Sequence, residues 1–215
     1  QNGTNLMLSI DMKLQKVTEE ALKGQQGAIV AIDPNNGEVL ALSSLPSYDP
    51  NLFVQGISQK DYDLLAKSDK QPLYNRAIRG QYPLASTIKP FVALKALEDN
   101  IVSLDYKVYD PGWFRLPNTT HLYRDWKHYG HGWVNLKESL VVSCDTYFYQ
   151  LAFLMGIKRI DEILNQFGFG QLTLIDLGEE LPGLIPSPEW KRAVKNTPWY
   201  TGDTIISKCS CKTCK

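Results

Sequence analysis

The chain has 215 residues, 43% hydrophobic and 21% charged, which suits one large globular domain or two small ones. Lys plus Arg and Asp plus Glu both number 23, so a net charge of zero removes the electrostatic ground for expecting nucleic acid. No apolar run approaches the roughly 18 residues that span a membrane, and the sequence begins at Gln1, so any signal or anchor before it is out of view.

Residues 6–10, LMLSI, predict a short strand. Asp11 is placed to cap a helix over 12–23, where apolar residues recur at helical spacing. The runs 27–33 and 38–44 predict two apolar strands, joined at 34–37 by PNNG, a strong hairpin signal. The edges of that hairpin are expected to stay exposed. Residues 45–51 predict loop, and Ser58 with Asp61 marks a helix start for 59–67. A helix is predicted from near Ser86 to about Glu98, with Pro90 tolerable only in its first turn. Residues 103–133 hold Pro, Gly, Trp, Tyr and His without a clear period, and a loop that long is usually functional or metal-stapled. Helices are predicted over 136–142 and 146–156, around a break at 143–145, and over 157–168. The composition changes at Lys208, where KCSCKTCK begins, so residues 1–207 form the folded part and 208–215 an unrelated tail. Three of the four cysteines, Cys209, Cys211 and Cys214, crowd that tail, which is no disulfide framework. Cys144 alone reads as a small buried residue.

Two short patterns carry chemistry. Ser86 and Lys89, in PLASTIKP, stand at i and i+3, which share a helix face. A serine hydroxyl needs a neighbour to take its proton, and a lysine in apolar surroundings can lose its charge and be that base. By itself the pattern arises often by chance, though Ser86 is the only serine here with a lysine three residues later. The second pattern is Ser143–Cys144–Asp145, in the break between two apolar helices, where a polar triplet can face a cleft. The plain alternative is that Ser143 or Asp145 caps the helix from 146.

Together, S-x-x-K followed by S-x-[ND] is the signature of penicillin-recognising serine enzymes. The surrounding sequence is more specific. GAIVAIDPNNGEVLALSSLPSYDPN, NRAIRGQYPLASTIKPFVALKALE, DPGWFRLPN, YRDWKHYGHGWVN, SCDTYFYQLAFLMGI and PWYTGDT closely resemble the transpeptidase domain of bacterial penicillin-binding protein 2, the class B enzyme of rod-shape elongation. The resemblance covers about residues 5 to 206. It implies an α/β (α+β) transpeptidase fold like that of the serine β-lactamases, present here as the N-terminal hairpin of the sheet plus the helical subdomain. It also implies a D,D-transpeptidase that cross-links peptidoglycan stem peptides. Ser86 would attack the penultimate D-Ala carbonyl, Lys89 would be the general base, Ser143 would relay protons, and Asp145 would hold Lys89 and substrate. β-Lactams would acylate the same serine. One departure precedes the nucleophile: relatives usually carry Pro-Gly, and here it is Leu84-Ala85. If that position needs a positive φ, alanine bears a steric cost.

Asp110, Asp125, His131 and Cys144 are zinc-ligand types whose spacing alone proves nothing. Asp110 could cap the turn before Pro111, Asp125 could pair with Arg124 or Lys127, and His131 could be an ordinary loop histidine. Some members of the resembled family hold a zinc on the matching residues, so the resemblance implies a closed, structural zinc site. His121 and His128 match no such motif. The family also implies a membrane glycosyltransferase partner and a place on the periplasmic face of the bacterial inner membrane. The family's third motif, Lys-[Ser/Thr]-Gly, is expected well beyond the point where the resemblance ends. KTC at 212–214 does not replace it, so the chain reads as a truncated transpeptidase that is not expected to turn over. Two alternatives stay open: an inactive remnant, and a non-enzymatic module that binds cell-wall peptide or a membrane partner.

Overall fold

Asp11 starts the first helix. Its Oδ1 accepts from Lys13 N–H at 2.7 Å and Leu14 N–H at 3.1 Å, donors that a helix start leaves without partners, and α1 runs Met12–Ala21. The computed structural model describes residues 4–209. It corrects the strand expected at 6–10: this segment is irregular, and Leu6, Met7 and Leu8 are exposed. Ser9 Oγ donates to the Val39 carbonyl at 2.8 Å and Asp11 N–H to the Leu40 carbonyl at 2.9 Å, isolated bonds rather than a ladder.

The hairpin forms as the sequence predicts. β1 (Gly27–Ile32) pairs antiparallel with β2 (Val39–Leu45), from Gly27 opposite Leu45 to Ile32 opposite Val39, with one register shift between Ala31 and Ile32. The outer edge of β2 is not left bare, contrary to expectation. The Gln15 carboxamide of α1 accepts from Leu42 N–H at 2.8 Å and donates to the Leu42 carbonyl at 3.2 Å, standing in for a neighbouring strand. Helix α2 (Gln59–Ala66) begins at Ser58, whose hydroxyl accepts from Asp61 N–H, and a short helix α3 (Arg76–Arg79) follows. These elements belong to one compact unit, residues 4–80 with Asp176–Leu181.

The second unit comprises Gln81–Ile175 and residues 182–209. The helix expected from Ser86 opens as a 3-10 turn, Ala85–Ile88, and becomes α-helical as α4 (Lys89–Glu98), with Pro90 in its first turn. The segment expected to be loop contains four short strands, β3 (Val108–Asp110), β4 (Trp113–Phe114), β5 (Tyr123–Arg124) and β6 (Gly132–Val134). β3 pairs antiparallel with β6, and β4 with β5. Strands of two or three residues are too short to show an alternation.

Helix α5 (Leu136–Val141) starts with a capping box between Asn135 and Glu138. Helix α6 (Asp145–Gln166) is kinked at Gly156, whose φ of 70° and ψ of 168° only glycine adopts readily. The two helices expected over 146–156 and 157–168 are the two arms of that kink. Helices α7 (Pro188–Lys195) and α8 (Thr201–Cys209) complete the unit. The core joins Val92 and Ala96 of α4, Tyr147, Phe148, Leu151 and Ile160 of α6, and Ile205 of α8. Each large apolar side chain there contributes about 1.5–3 kcal/mol by leaving water. Helix α8 packs on α6 and on the 3-10 turn that carries Ser86. It crosses the boundary expected at 207; Cys211 and Cys214 of the expected tail lie outside the described residues. No helix among the described residues is long and apolar enough to cross a membrane.

Candidate active site

Lys89 is the first residue of α4, so its side chain enters the unit beside the start of α6 rather than solvent. It is 2% exposed. Its Nζ donates to the Ser143 carbonyl at 2.9 Å, to Ser143 Oγ at 3.1 Å and to Asp145 Oδ1 at 2.7 Å. Those three acceptors match the three hydrogens of an ammonium. The pair with Asp145 is a largely buried ion pair, and the Phe148 ring lies 5.3 Å from the charge. Ser143 Oγ in turn donates to Ser86 Oγ at 2.9 Å. The four residues singled out as catalytic therefore meet, in the order Ser86, Ser143, Lys89, Asp145. Lys89 is linked to the nucleophile candidate through the Ser143 hydroxyl.

The backbone bears strain at Ser143 and immediately before Ser86. Ala85, just before Ser86, has φ +49°, the left-handed conformation that a glycine would take without cost. Ser143 has φ +52°. Ser143 N–H donates to the Leu140 carbonyl at 3.3 Å and Cys144 N–H to the Ser139 carbonyl at 2.9 Å, the two bonds of a Schellman helix end. The left-handed residue of that motif is usually glycine. A serine there costs about 1–2 kcal/mol and places a hydroxyl at the centre of the site.

The helix start after Ser143 differs from the sequence expectation. Neither Ser143 nor Asp145 caps α6; the cap position is Cys144, whose side chain makes no cap bond. The acceptor comes from twenty residues away: Asp125 Oδ2 takes Asp145 N–H at 2.6 Å and Thr146 N–H at 3.1 Å. No local pattern in the sequence marks this duty, because cap rules look one to three residues away.

Behind the triplet, Asp110, Asp125, His131 and Cys144 converge. Their ligand atoms all lie within 4.8 Å of one another. His131 Nδ1 is 2.7 Å from Asp110 Oδ2 and 3.6 Å from Asp125 Oδ1, and Cys144 Sγ is 3.5 Å from Asp110 Oδ2. A tetrahedral ion with bonds of about 2.0–2.3 Å sets its donors about 3.3–3.8 Å apart; the separations of 3.5 and 3.6 Å match that spacing, while His131 and Asp110, at 2.7 Å, would have to move apart. The loop that brings Asp110 to His131 is closed by Gly112 and Gly130. A side-chain carbon at Gly112 would strike the His128 carbonyl, and one at Gly130 the Asp110 carbonyl. Asp110 does make the turn bond before Pro111 that the plain alternative foresaw, accepting from Gly112 N–H at 2.7 Å. Asp125 is bonded by Lys127 through its backbone N–H, at 2.9 Å. Burial raises the Asp110 pKa, but hydrogen bonds, those from Gly112 and His131 included, outweigh it and leave the carboxyl below its ordinary range. Burial pushes the Cys144 thiol far up, and the Asp110 and Asp125 carboxylates push the same way. Two buried carboxylates beside a thiol form a donor set that a cation would relieve.

A serine hydroxyl bonded through a second hydroxyl to a buried lysine, set between a 3-10 turn and a strained helix junction, is an arrangement that serine acyl transfer could use. The chain belongs to the penicillin binding protein transpeptidase domain family, whose sequence model matches residues 27–205. It is 52% identical over 203 residues to the peptidoglycan D,D-transpeptidase MrdA of Acinetobacter baumannii, covering 94% of this chain and 30% of that protein. The chain thus spans about a third of the length of the curated relatives it matches. Among solved structures it is similar to Pseudomonas aeruginosa PBP2 in complex with WCK 5153, with a TM-score of 0.88 and 52% identity, over 93% of this chain and 45% of that one. It is also similar to Helicobacter pylori PBP2 in a complex with MreC, with a TM-score of 0.87 and 35% identity, over 92% and 37% of the two chains.

Proposed function

We propose that this chain is the acyl-transfer part of a peptidoglycan D,D-transpeptidase, with Ser86 as nucleophile. The observation that carries the reading is the unbroken chain from Ser86 Oγ through Ser143 Oγ to Lys89 Nζ and Asp145. Ser86 attacks the carbonyl of the penultimate D-Ala of a stem peptide, and its proton passes to Ser143, whose own proton goes to Lys89 once Lys89 has released one of the three hydrogens it donates in the resting site. The relay then runs in reverse and delivers a proton to the departing D-Ala amine. The acyl-serine passes to an amine of a neighbouring stem peptide, which forms the cross-link. Asp145 holds Lys89 in line, and a β-lactam acylates Ser86 by the same attack.

The cluster of Asp110, Asp125, His131 and Cys144 is proposed to hold one structural zinc. The ion would neutralise the donor set and tie the β3–β6 segment to the Ser143 turn, with no part in the chemical steps. By family, the proposed setting is the periplasmic face of a bacterial inner membrane, beside a glycosyltransferase of the elongation machinery. That a relative forms a complex with MreC supports a protein partner for this domain family, without bearing on the glycosyltransferase.

Intact-mass spectrometry with excess penicillin tests the centre. A single adduct is expected on the protein at its natural length, absent from Ser86→Ala. An adduct unchanged in that variant would sink the assignment.

A further inference from the structure

We propose that Trp126, through its indole N–H, is a positioning residue for the Ser143 hydroxyl and brackets the catalytic turn together with Asp125. The proposal rests on the reading of Ser86, Ser143 and Lys89 as the acyl-transfer centre. Trp126 Nε1 donates to the Val142 carbonyl at 3.1 Å. That carbonyl and the N–H of Ser143 belong to one planar peptide unit. The N–H end is held by the Leu140 carbonyl at 3.3 Å, beyond the usual range for such bonds, so the Trp126 bond is the shorter of the two restraints on this plane. The next plane but one, which carries the Asp145 N–H, is pinned by Asp125 Oδ2 at 2.6 Å. Two consecutive residues thus fix the peptide planes on either side of Ser143 and Cys144.

The bracket matters because Ser143 sits at φ +52°, where a residue with a side chain is strained. A rotation of the Val142–Ser143 peptide plane would relieve that strain. Any part of that rotation not taken up by the Val142 ψ would also swing the Ser143 hydroxyl from Ser86 and Lys89, to which it is bonded at 2.9 and 3.1 Å, the two contacts of the relay. Trp126 opposes that rotation from outside the site. Its side chain buries little, since the residue is 61% exposed, so hydrophobic burial does not account for a tryptophan here. The ring meets His131 at 5.4 Å between centroids, a contact that a phenylalanine could keep without the N–H.

The test uses the protein at its natural length with Trp126 replaced by phenylalanine and, separately, by β-(3-benzothienyl)alanine, which keeps the fused-ring shape and lacks the N–H. Acylation by a fluorescent penicillin is resolved into Kd and the first-order acylation constant, and backbone amide exchange is followed at Ser143 and Cys144. The loss of one such hydrogen bond predicts an acylation constant about 3- to 10-fold lower in both variants, Kd within about twofold, and faster exchange at both amides by a similar factor. An unchanged acylation constant or unchanged exchange in the benzothienyl variant overturns the proposal, as does a loss confined to phenylalanine. If the parent protein takes up no penicillin at Ser86, the functional reading falls, and exchange alone decides whether Trp126 holds the turn.

Discussion

The two turns that carry serines into the site are built in opposite ways. Every residue from Gln81 to Thr87 is exposed, and Ser86 sits in a 3-10 turn without a side-chain cap. The Ser143 turn lies between two helices, with Cys144 and Thr146 buried. It is held by Schellman bonds, by Asp125 and Trp126, and by Lys89. Both contain a left-handed residue other than glycine, Ala85 and Ser143. At Ser143 the strain is enclosed by neighbours and delivers a hydroxyl. At Ala85 it delivers nothing from the side chain, which is a methyl group. Strain of this sort persists where the surroundings over-determine the backbone, and the two turns differ in how much surrounding they have.

The largest expected effect breaks the Ser143 turn through its charge pair. Asp145→Ala leaves Lys89 buried without its carboxylate and is expected to cost about 3–5 kcal/mol in urea unfolding. A cost below about 1 kcal/mol, typical of exposed pairs, would mean that the turn does not depend on the pair. Next, Cys144→Ser should lower bound zinc well below about one equivalent by metal analysis and lower Tm, without changing the residues of the Ser86 turn. Zinc content equal to the parent's would mean that Cys144 does not hold the proposed zinc. The smallest effect sharpens the contrast from the other side. Ala85→Gly relieves the positive φ and should raise stability by about 0.5–1 kcal/mol, which for a domain of this size is about 1–4 °C in Tm. A lower Tm would show that the exposed turn draws more from the alanine than its backbone suggests.

Much of the site was legible because its signals are local or belong to the family resemblance. Ser86 and Lys89 announce themselves by spacing, the break at 143–145 by the polar triplet between apolar runs, and Ala85 by the residue it replaces. The cap at Asp11, Pro90 in the first turn of α4 and the PNNG hairpin follow from rules that act over four residues or fewer. What escaped lies at longer range. Asp125 and Trp126 reach 20 and 16 residues along the chain, and no periodicity reports such contacts. The Schellman end was hidden because its usual glycine is Ser143. Residues 6–10 have the composition of a strand but lack a ladder to join. The signals of helix α7 are local too: Ser187 caps it, Pro188 opens it, and Asn196 closes it at φ 49°.

Gly156 divides α6 into two arms that do not share a continuous hydrogen-bond ladder, since its φ of 70° and ψ of 168° interrupt the helical repeat. Helix growth and melting are cooperative only along an unbroken ladder. The arm that begins at Asp145 is therefore a separate cooperative segment from the one that ends at Gln166. Thermal fraying that starts at Gln166 meets a boundary at the glycine before it can reach the residue that pairs with Lys89.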